Sequence, residues 1–169
     1  LLGTAFDLVA RNAEDLGRPE AGAAAVRRLA EAIGPAGIIG GQHQDLALFG
    51  GSTTLDNLES IYACKAGELF LAAVRVPAVL TALPDDEALA LEKYAANLGL
   101  ALQITDDLLD AAAEDGDQGK TTFATHLGVG GAHAKAAELV DAAIDALAVF
   151  ADRAGPLRRM AETLRARTA

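Results

Sequence analysis

The segment at residues 85–110 constrains the fold most, because its second half offers no polar face to water. Pro84 and the acidic run that follows it are typical of a helix start, where carboxylates stabilise the positive end of the helix dipole, so Asp85 and Asp86 are interpreted as caps. Apolar side chains then occupy almost every side of the predicted helix: Leu91, Leu98, Leu100, Ala101, Leu102, Ile104, Leu108 and Leu109. A helix that is apolar all round must be surrounded by other elements. We therefore expect it to be buried in a helical bundle.

The rest of the chain also has helical patterning. Hydrophobic residues make up 51% of the sequence but aromatic residues only 4%, which favours helices over sheets, where branched and aromatic side chains dominate. Apolar residues recur at helical spacing over residues 1–16, 22–49, 53–77 and 85–110, near Lys120, and over residues 132–150 and 157–167. This pattern predicts about six or seven helices, no strand, and a single all-α domain across residues 1–169, arranged around a central cavity.

Glycine and proline mark the boundaries between these helices. Breaks are predicted at residues 17–19, at Pro35 and Gly37, at residues 50–52, and in a loop at residues 111–119. Thr53 or Thr54 is expected to cap the helix that follows the third break. Pro77 is expected to end or kink that helix, because proline lacks the backbone N–H and clashes with the preceding turn.

Charge and composition exclude several classes of protein. The formal net charge of -10 repels nucleic acid and anionic lipid, so a polyanionic partner would need a local basic site or bridging cations. Cys64 has no Cys or His partner at zinc spacing and is interpreted as a reduced, packed side chain. The longest apolar stretch, residues 69–83, contains Arg75 and Pro77 and is too short to span a bilayer. We expect a cytoplasmic protein with no signal peptide, no transmembrane segment and no nucleic acid partner.

Carboxylates interrupt the apolar helix near its end. Gln103, Asp106 and Asp110 are spaced by three and four residues and share one stripe, with Asp107 at its edge. We expect these carboxylates to point into the bundle, where unpaired negative charge is costly and calls for a cation. Mg²⁺ suits hard oxygen ligands and commonly bridges one or two carboxylates to substrate phosphates. The alternative is a solvated helix end whose aspartates only repel one another.

Three further features suggest a polar interior, although each has a simpler explanation. Gly40 and Gly41 would let one helix approach its neighbour and place Asp45 beside the contact, or they only serve close packing. Lys65 lies where a core residue is expected, so its ammonium either faces an internal anion or reaches solvent along an apolar stem. Lys120 follows Gly119 and could face the same cavity, or it is an ordinary lysine at a helix start.

Four motifs together, in this order, resemble the second half of the trans-isoprenyl diphosphate synthases, the family of farnesyl and geranylgeranyl diphosphate synthases. The motifs are GGQHQDL at residues 40–46, KAGELF at 65–70, LQITDDLLD at 102–110 and QGKTTF at 118–123. The third motif is similar to the family's second aspartate-rich motif. The likeness extends over essentially the whole chain, and the four motifs are far more specific together than any one of them is alone.

The resemblance implies an activity and a set of roles. Asp106, Asp107 and Asp110 would hold Mg²⁺ on an allylic diphosphate, Lys65 and Lys120 would contact the diphosphate, and Gln103 would line the site beside the forming carbocation. The implied reaction is metal-assisted ionisation of the allylic diphosphate, attack by the double bond of isopentenyl diphosphate, and proton loss. The family also implies a homodimer, and the motif details lean toward geranylgeranyl diphosphate synthesis, with farnesyl diphosphate as the close alternative.

The sequence departs from the family pattern in ways that keep other hypotheses open. Ala66 replaces the usual Thr and Leu102 the usual Phe, and the loop at residues 111–119 is shorter than the family's, so imperfect chain continuity is expected near residues 113–117. The chain starts after the first aspartate-rich motif, so it is incomplete at its N-terminus relative to the family. A non-catalytic helical subunit that pairs with a complete synthase is therefore the second hypothesis, and a related terpene cyclase is the third.

Overall fold

The chain folds into helices only, in a computed structural model that describes residues 1–48, 51–112 and 121–167. Those residues contain eight α-helices and no strand. The helices are α1 Leu2–Asp15, α2 Pro19–Ile33, α3 Ile38–Ala47, α4 Leu55–Tyr62, α5 Glu68–Thr81, α6 Asp85–Ala112, α7 Phe123–Ala146 and α8 Gly155–Arg167. A π-helical turn at Ala63–Gly67 joins α4 to α5, and a 3-10 segment at Leu147–Ala154 joins α7 to α8. The all-α fold class predicted from the sequence is confirmed.

Helix α6 is the central element of the bundle. It packs against α4, α5, α7, α8, the π turn and the 3-10 segment. Its buried side chains are Tyr94, Ala95, Leu98, Ala101, Ile104, Thr105, Asp107 and Leu108. The expectation that this helix is buried is confirmed, since most of its neighbours in the main core come from α4 and α7. A smaller apolar cluster joins α1, α2 and α5 through Ala13, Ala21, Ala25 and Leu80.

Helices α4 and α5 form one nearly continuous rod with an inserted π turn. Pro77 lies inside α5, and the helix continues to Thr81 before Ala82 adopts a left-handed conformation with φ of 51°. The prediction that Pro77 ends this helix was therefore wrong. Thr81 Oγ1 donates a hydrogen bond to the Pro77 carbonyl oxygen at 2.8 Å, which gives the chain around the proline a side-chain hydrogen bond.

The C-terminal third is more segmented than its apolar pattern predicts. Helix α7 begins at Phe123, ends at Ala146 and contains a break at Gly128, whose φ is 72°. Residues 147–150, predicted as the end of one helix from residue 132, belong to the 3-10 segment. The prediction for residues 113–117 lies outside the described residues. Among the described helices, none has the length and apolar character needed to cross a bilayer.

Threonine side chains start two of the helices that surround α6. Thr54 Oγ1 accepts a hydrogen bond from the backbone N–H of Asn57 at 3.3 Å, so the predicted cap is Thr54. Thr122 forms a reciprocal capping box with Thr125 at the start of α7, and its side chain is 8% exposed. The caps satisfy backbone donors that a helix start leaves without partners.

The Thr122 cap gives a first prediction. We expect Thr122→Ala to lower the free energy of unfolding by about 1–2 kcal/mol, because it leaves an α7 backbone donor without its side-chain acceptor. Chemical denaturation followed by circular dichroism measures this. Thr163→Ala is the matched control, since Thr163 is exposed within α8 and its hydroxyl donates only to the Arg159 carbonyl oxygen. Equal stability of the two variants would contradict the capping role.

Candidate active site

The three aspartates of α6 differ in exposure. Asp107 is buried, with 3% of its surface exposed, because it lies three residues after the buried Ile104 and shares its inward face. The Asp106 side chain is 46% exposed, and Asp110 is exposed. The expectation that the stripe through Asp106 and Asp110 points into the bundle was therefore wrong, since Asp107, placed at its edge, is the inward carboxylate.

The carboxylates at this end of α6 interact electrostatically. The pKa of Asp106 is raised above its ordinary value, mainly because burial removes part of its hydration. Arg167 of α8, whose Nη2 lies 3.6 Å from Asp106 Oδ1, opposes that rise in pKa, whereas the negative charges of Asp110 and Asp107 add to it. Excess negative charge therefore accumulates here, which favours binding of a cation.

Tyr62 connects α4 to the inward carboxylate of α6. Its hydroxyl donates a short hydrogen bond to Asp107 Oδ2 in a buried environment. The ring is 1% exposed and packs at a tilt against Phe123, with ring centroids 5.5 Å apart. Burial raises the pKa of Tyr62 well above its ordinary value, and the charges of Asp107 and Asp45 raise it further, so the phenol stays protonated. The sequence analysis placed Tyr62 only in an apolar stripe, and no spacing signal marked its hydroxyl.

Lys65 occupies the middle of the π turn and pairs with a carboxylate of α3. Its Nζ lies 2.6 Å from Asp45 Oδ2, and the two side chains are 25% and 16% exposed. Of the two readings of Lys65, the structure thus favours an ammonium that faces an internal anion. The extra residue of the π turn shifts the helical register, which explains why Lys65 interrupts the apolar stripe.

A glycine contact brings α3 against the π turn. A Cβ at Gly41 would lie 2.5 Å from the Lys65 backbone nitrogen and 2.8 Å from its Cα, so only glycine fits without movement of the backbone. On the opposite side, a Cβ at Gly99 of α6 would lie 3.3 Å from the Gly67 Cα. The π turn is thus held between two glycine-containing helices, and the close approach expected at Gly40 and Gly41 is present.

These contacts bring four polar side chains together, called here the polar cluster: Asp45, Tyr62, Lys65 and Asp107. Asp45 belongs to the cluster because its charge acts on the pKa of Tyr62. The cluster joins α3, α4, the π turn and α6. It contains two of the residues predicted for the site, Lys65 and Asp107, and two for which no catalytic or metal-binding role was predicted.

The remaining predicted residues have other positions. Gln103 is partly exposed on α6, three and four residues before Asp106 and Asp107. Lys120 lies outside the described residues. Leu102, which replaces the family's Phe, lines an apolar cavity with Phe70 of α5 and with Leu164 and Arg167 of α8.

The donor set fits Mg²⁺ bound together with phosphate oxygens. Among the described residues, no three His, Cys, Asp or Glu side chains converge as a complete metal site. Mg²⁺ does not require such a site, because it keeps several waters and is usually held by one or two carboxylates plus substrate phosphates. The neighbouring carboxylates of Asp106 and Asp107 supply that number of hard oxygen ligands.

The comparisons with known proteins agree with this arrangement. The polyprenyl synthetase family model matches residues 1–125. A probable farnesyl diphosphate synthase of Sinorhizobium fredii is 38% identical over 152 residues, which cover 81% of this chain and 46% of that protein. A geranylgeranyl diphosphate synthase of Pseudescherichia vulneris is 33% identical over 164 residues, which cover 94% of this chain and 53% of that protein. The chain thus spans about half the length of these relatives.

The fold also matches solved structures. The apo structure of an FPP/GFPP synthase from Zymomonas mobilis superposes with a TM-score of 0.85 at 34% identity, covering 96% of this chain and 57% of the other. The family resemblance inferred from the four motifs is confirmed. Because the family model matches more than half of its residues, the chain belongs to the polyprenyl synthetase family.

Proposed function

We propose that this chain is the C-terminal part of a Mg²⁺-dependent short-chain prenyltransferase that condenses an allylic diphosphate with isopentenyl diphosphate. The observation that carries this proposal is the polar cluster, where the inward carboxylate of Asp107 and the ammonium of Lys65 lie on two elements that both adjoin Tyr62. One group suits a hard cation and the other suits an anion. A diphosphate bound with Mg²⁺ combines both chemistries.

The proposed roles follow from the chemistry of each side chain. Asp106, Asp107 and Asp110 would hold Mg²⁺, which supplies positive charge to the departing diphosphate when bound. Lys65 and Lys120 would donate hydrogen bonds to diphosphate oxygens, and Gln103 would lie beside the carbons that react, as listed for the site by the motif match. The allylic C–O bond breaks with its electron pair leaving on the diphosphate. The double bond of isopentenyl diphosphate then forms the new C–C bond, and a proton is lost.

The relatives support this reaction class without fixing the product. Their names include both farnesyl and geranylgeranyl diphosphate synthases, at 38% and 33% identity. Both products are therefore retained, with geranylgeranyl diphosphate favoured by the motif details. Homodimer formation stays a prediction from the family resemblance.

The test uses the longest protein that contains this chain. We expect radiolabelled isopentenyl diphosphate and an allylic diphosphate to give a labelled, extended prenyl diphosphate in the presence of Mg²⁺, and no product after EDTA treatment. Restoring Mg²⁺ should restore turnover. Absence of product under all conditions would contradict the proposal. Stimulation of a separate complete synthase by the inactive protein would instead support the non-catalytic subunit.

A further inference from the structure

We propose that Tyr62 is a positioning residue that fixes the orientation of the Asp107 carboxylate for metal binding. This inference rests on the proposed function, because it concerns the same site. Tyr62 and Asp107 are separated by 45 residues in the chain, yet the hydroxyl donates directly to Asp107 Oδ2. The contact therefore depends on the packing of α4 against α6, which the main core establishes.

Burial makes this hydrogen bond necessary. Only 1% of Tyr62 and 3% of Asp107 is exposed. A carboxylate removed from water loses hydration that protein donors must replace, or it takes up a proton. The Tyr62 hydroxyl is such a donor, and it allows Asp107 to remain an ionised metal ligand at a buried position.

A phenol suits this role better than a cationic donor does. An ammonium or guanidinium at this position would neutralise Asp107 and compete with a divalent cation for the carboxylate. The phenol donates one hydrogen bond without adding charge. It can therefore orient the carboxylate while preserving the negative charge that attracts Mg²⁺.

The Tyr62 ring is held firmly enough to define a direction. It is buried between core residues of α4 and the Phe123 ring of α7, 5.5 Å away between centroids. Lys65 binds the other nearby carboxylate, Asp45, with a contact of 2.6 Å. The lysine thereby compensates Asp45, and the Tyr62 hydroxyl is directed to Asp107.

Contacts of this kind tune metal sites in proteins. Groups that hydrogen-bond a metal ligand fix its orientation, and their loss typically costs about tenfold to a hundredfold in metal affinity or activity. We expect Tyr62→Phe to raise the Mg²⁺ concentration that gives half-maximal turnover by about tenfold. Turnover at saturating Mg²⁺ should recover in large part, since Asp107 itself is retained.

Tyr94→Phe is the matched control. Tyr94 is also buried, at 3% exposure, and its hydroxyl donates to the Leu157 carbonyl oxygen at 2.9 Å. It lies thirteen residues before Asp107 on the same helix, or about 20 Å along the helix axis. We expect this variant to lose stability with no change in the Mg²⁺ midpoint, because it removes a buried tyrosine hydrogen bond away from the site.

A binding measurement separates metal affinity from catalysis. In the longest protein that contains this chain, Mg²⁺ plus inorganic pyrophosphate should raise the melting temperature of wild type and of Tyr94→Phe at the same Mg²⁺ concentration. Tyr62→Phe should need about tenfold more Mg²⁺ for the same rise. Equal midpoints for Tyr62→Phe and wild type, in a wild type that responds to Mg²⁺ and turns over, would overturn the positioning role alone.

Two further outcomes are decisive. A wild type with neither turnover nor a Mg²⁺-dependent thermal shift would overturn the proposed function, and this inference would fall with it. If Tyr62→Phe does not fold, nuclear magnetic resonance of wild type labelled at tyrosine Cζ replaces the variant. We then expect Mg²⁺ and pyrophosphate to shift the Tyr62 signal more than the Tyr94 signal. Equal shifts, or no shift, would overturn the proposal.

Discussion

Asp106→Ala should reduce turnover by about a hundredfold or more in the longest protein that contains this chain, while its melting temperature stays constant or rises slightly. The loss of a preorganised group that stabilises developing charge costs about 2.7–4 kcal/mol in comparable enzyme sites, which corresponds to about a hundredfold to a thousandfold in rate. Asp106 is proposed to act in this way through Mg²⁺ on the departing diphosphate.

Stability should not follow activity, for reasons visible around Asp106. Its contact with Arg167 joins two side chains that are each about half exposed, and such surface ion pairs contribute about 0–1 kcal/mol. Its raised pKa means that the folded protein binds a proton at Asp106 more tightly than the unfolded chain does. The stability that this proton contributes is present at low pH and is lost as the pH rises through the raised pKa. At neutral pH, removing the carboxylate relieves repulsion with Asp107 and Asp110.

The measurement combines steady-state turnover of labelled isopentenyl diphosphate with thermal melts of the same samples. Asp86→Ala is the matched control, because Asp86 is an exposed carboxylate in the first turn of α6. It should keep normal turnover and lose about 0.3–1 kcal/mol of stability, since it interacts favourably with the helix dipole. Near-normal turnover of Asp106→Ala would contradict the catalytic assignment.

Lys65→Ala should reduce turnover to a similar extent but with a different effect on stability. The variant removes a proposed diphosphate contact and also leaves Asp45, which is only 16% exposed, without its ammonium partner. A partly buried carboxylate that loses its counterion destabilises the folded state. We therefore expect a lower melting temperature for Lys65→Ala and an unchanged or higher one for Asp106→Ala, and equal melting behaviour would contradict this account of the two sites.

The central helix could be predicted from the sequence because its signal is local. Apolar residues on every side of residues 85–110 require burial wherever the rest of the chain lies, and α6 spans this segment as Asp85–Ala112. The Thr54 cap was predictable for the same reason, since the capping residue and the backbone N–H that it accepts from are close in sequence. Local chemistry of this kind does not depend on the tertiary fold.

The features that sequence analysis missed depend on contacts between distant segments. The π turn at Ala63–Gly67 shifts the register by one residue, and a search for a period of 3.6 residues interprets this shift as an interrupted stripe. The hydroxyl of Tyr62 became a functional candidate only once α4 was seen to pack against Asp107. Spacing places Asp106 and Asp107 side by side on α6, but the surrounding helices determine which of the two points inward.

Gly41→Ala should be strongly destabilising, because the structure leaves no room for a methyl group at this position. The Cβ would lie 2.5 Å from the Lys65 nitrogen and 2.9 Å from the Cys64 carbonyl carbon. These are backbone atoms, so the clash cannot be relieved by a change of side-chain rotamer. Overpacking typically costs about 1–3 kcal/mol, and we expect a value at or above the upper end.

The same substitution should also reduce turnover, because α3 carries both Gly41 and Asp45. Separating α3 from the π turn would lengthen the contact between Asp45 and Lys65, which is 2.6 Å in the structure. Gly130→Ala is the matched control, since Gly130 is exposed within α7 and its Cβ would meet nothing within 4 Å. It should gain about 0.5–1 kcal/mol, because alanine favours helix more than glycine does. Chemical denaturation and turnover assays of both variants test this, and a Gly41→Ala protein as stable and active as wild type would show that α3 and the π turn are not in close contact.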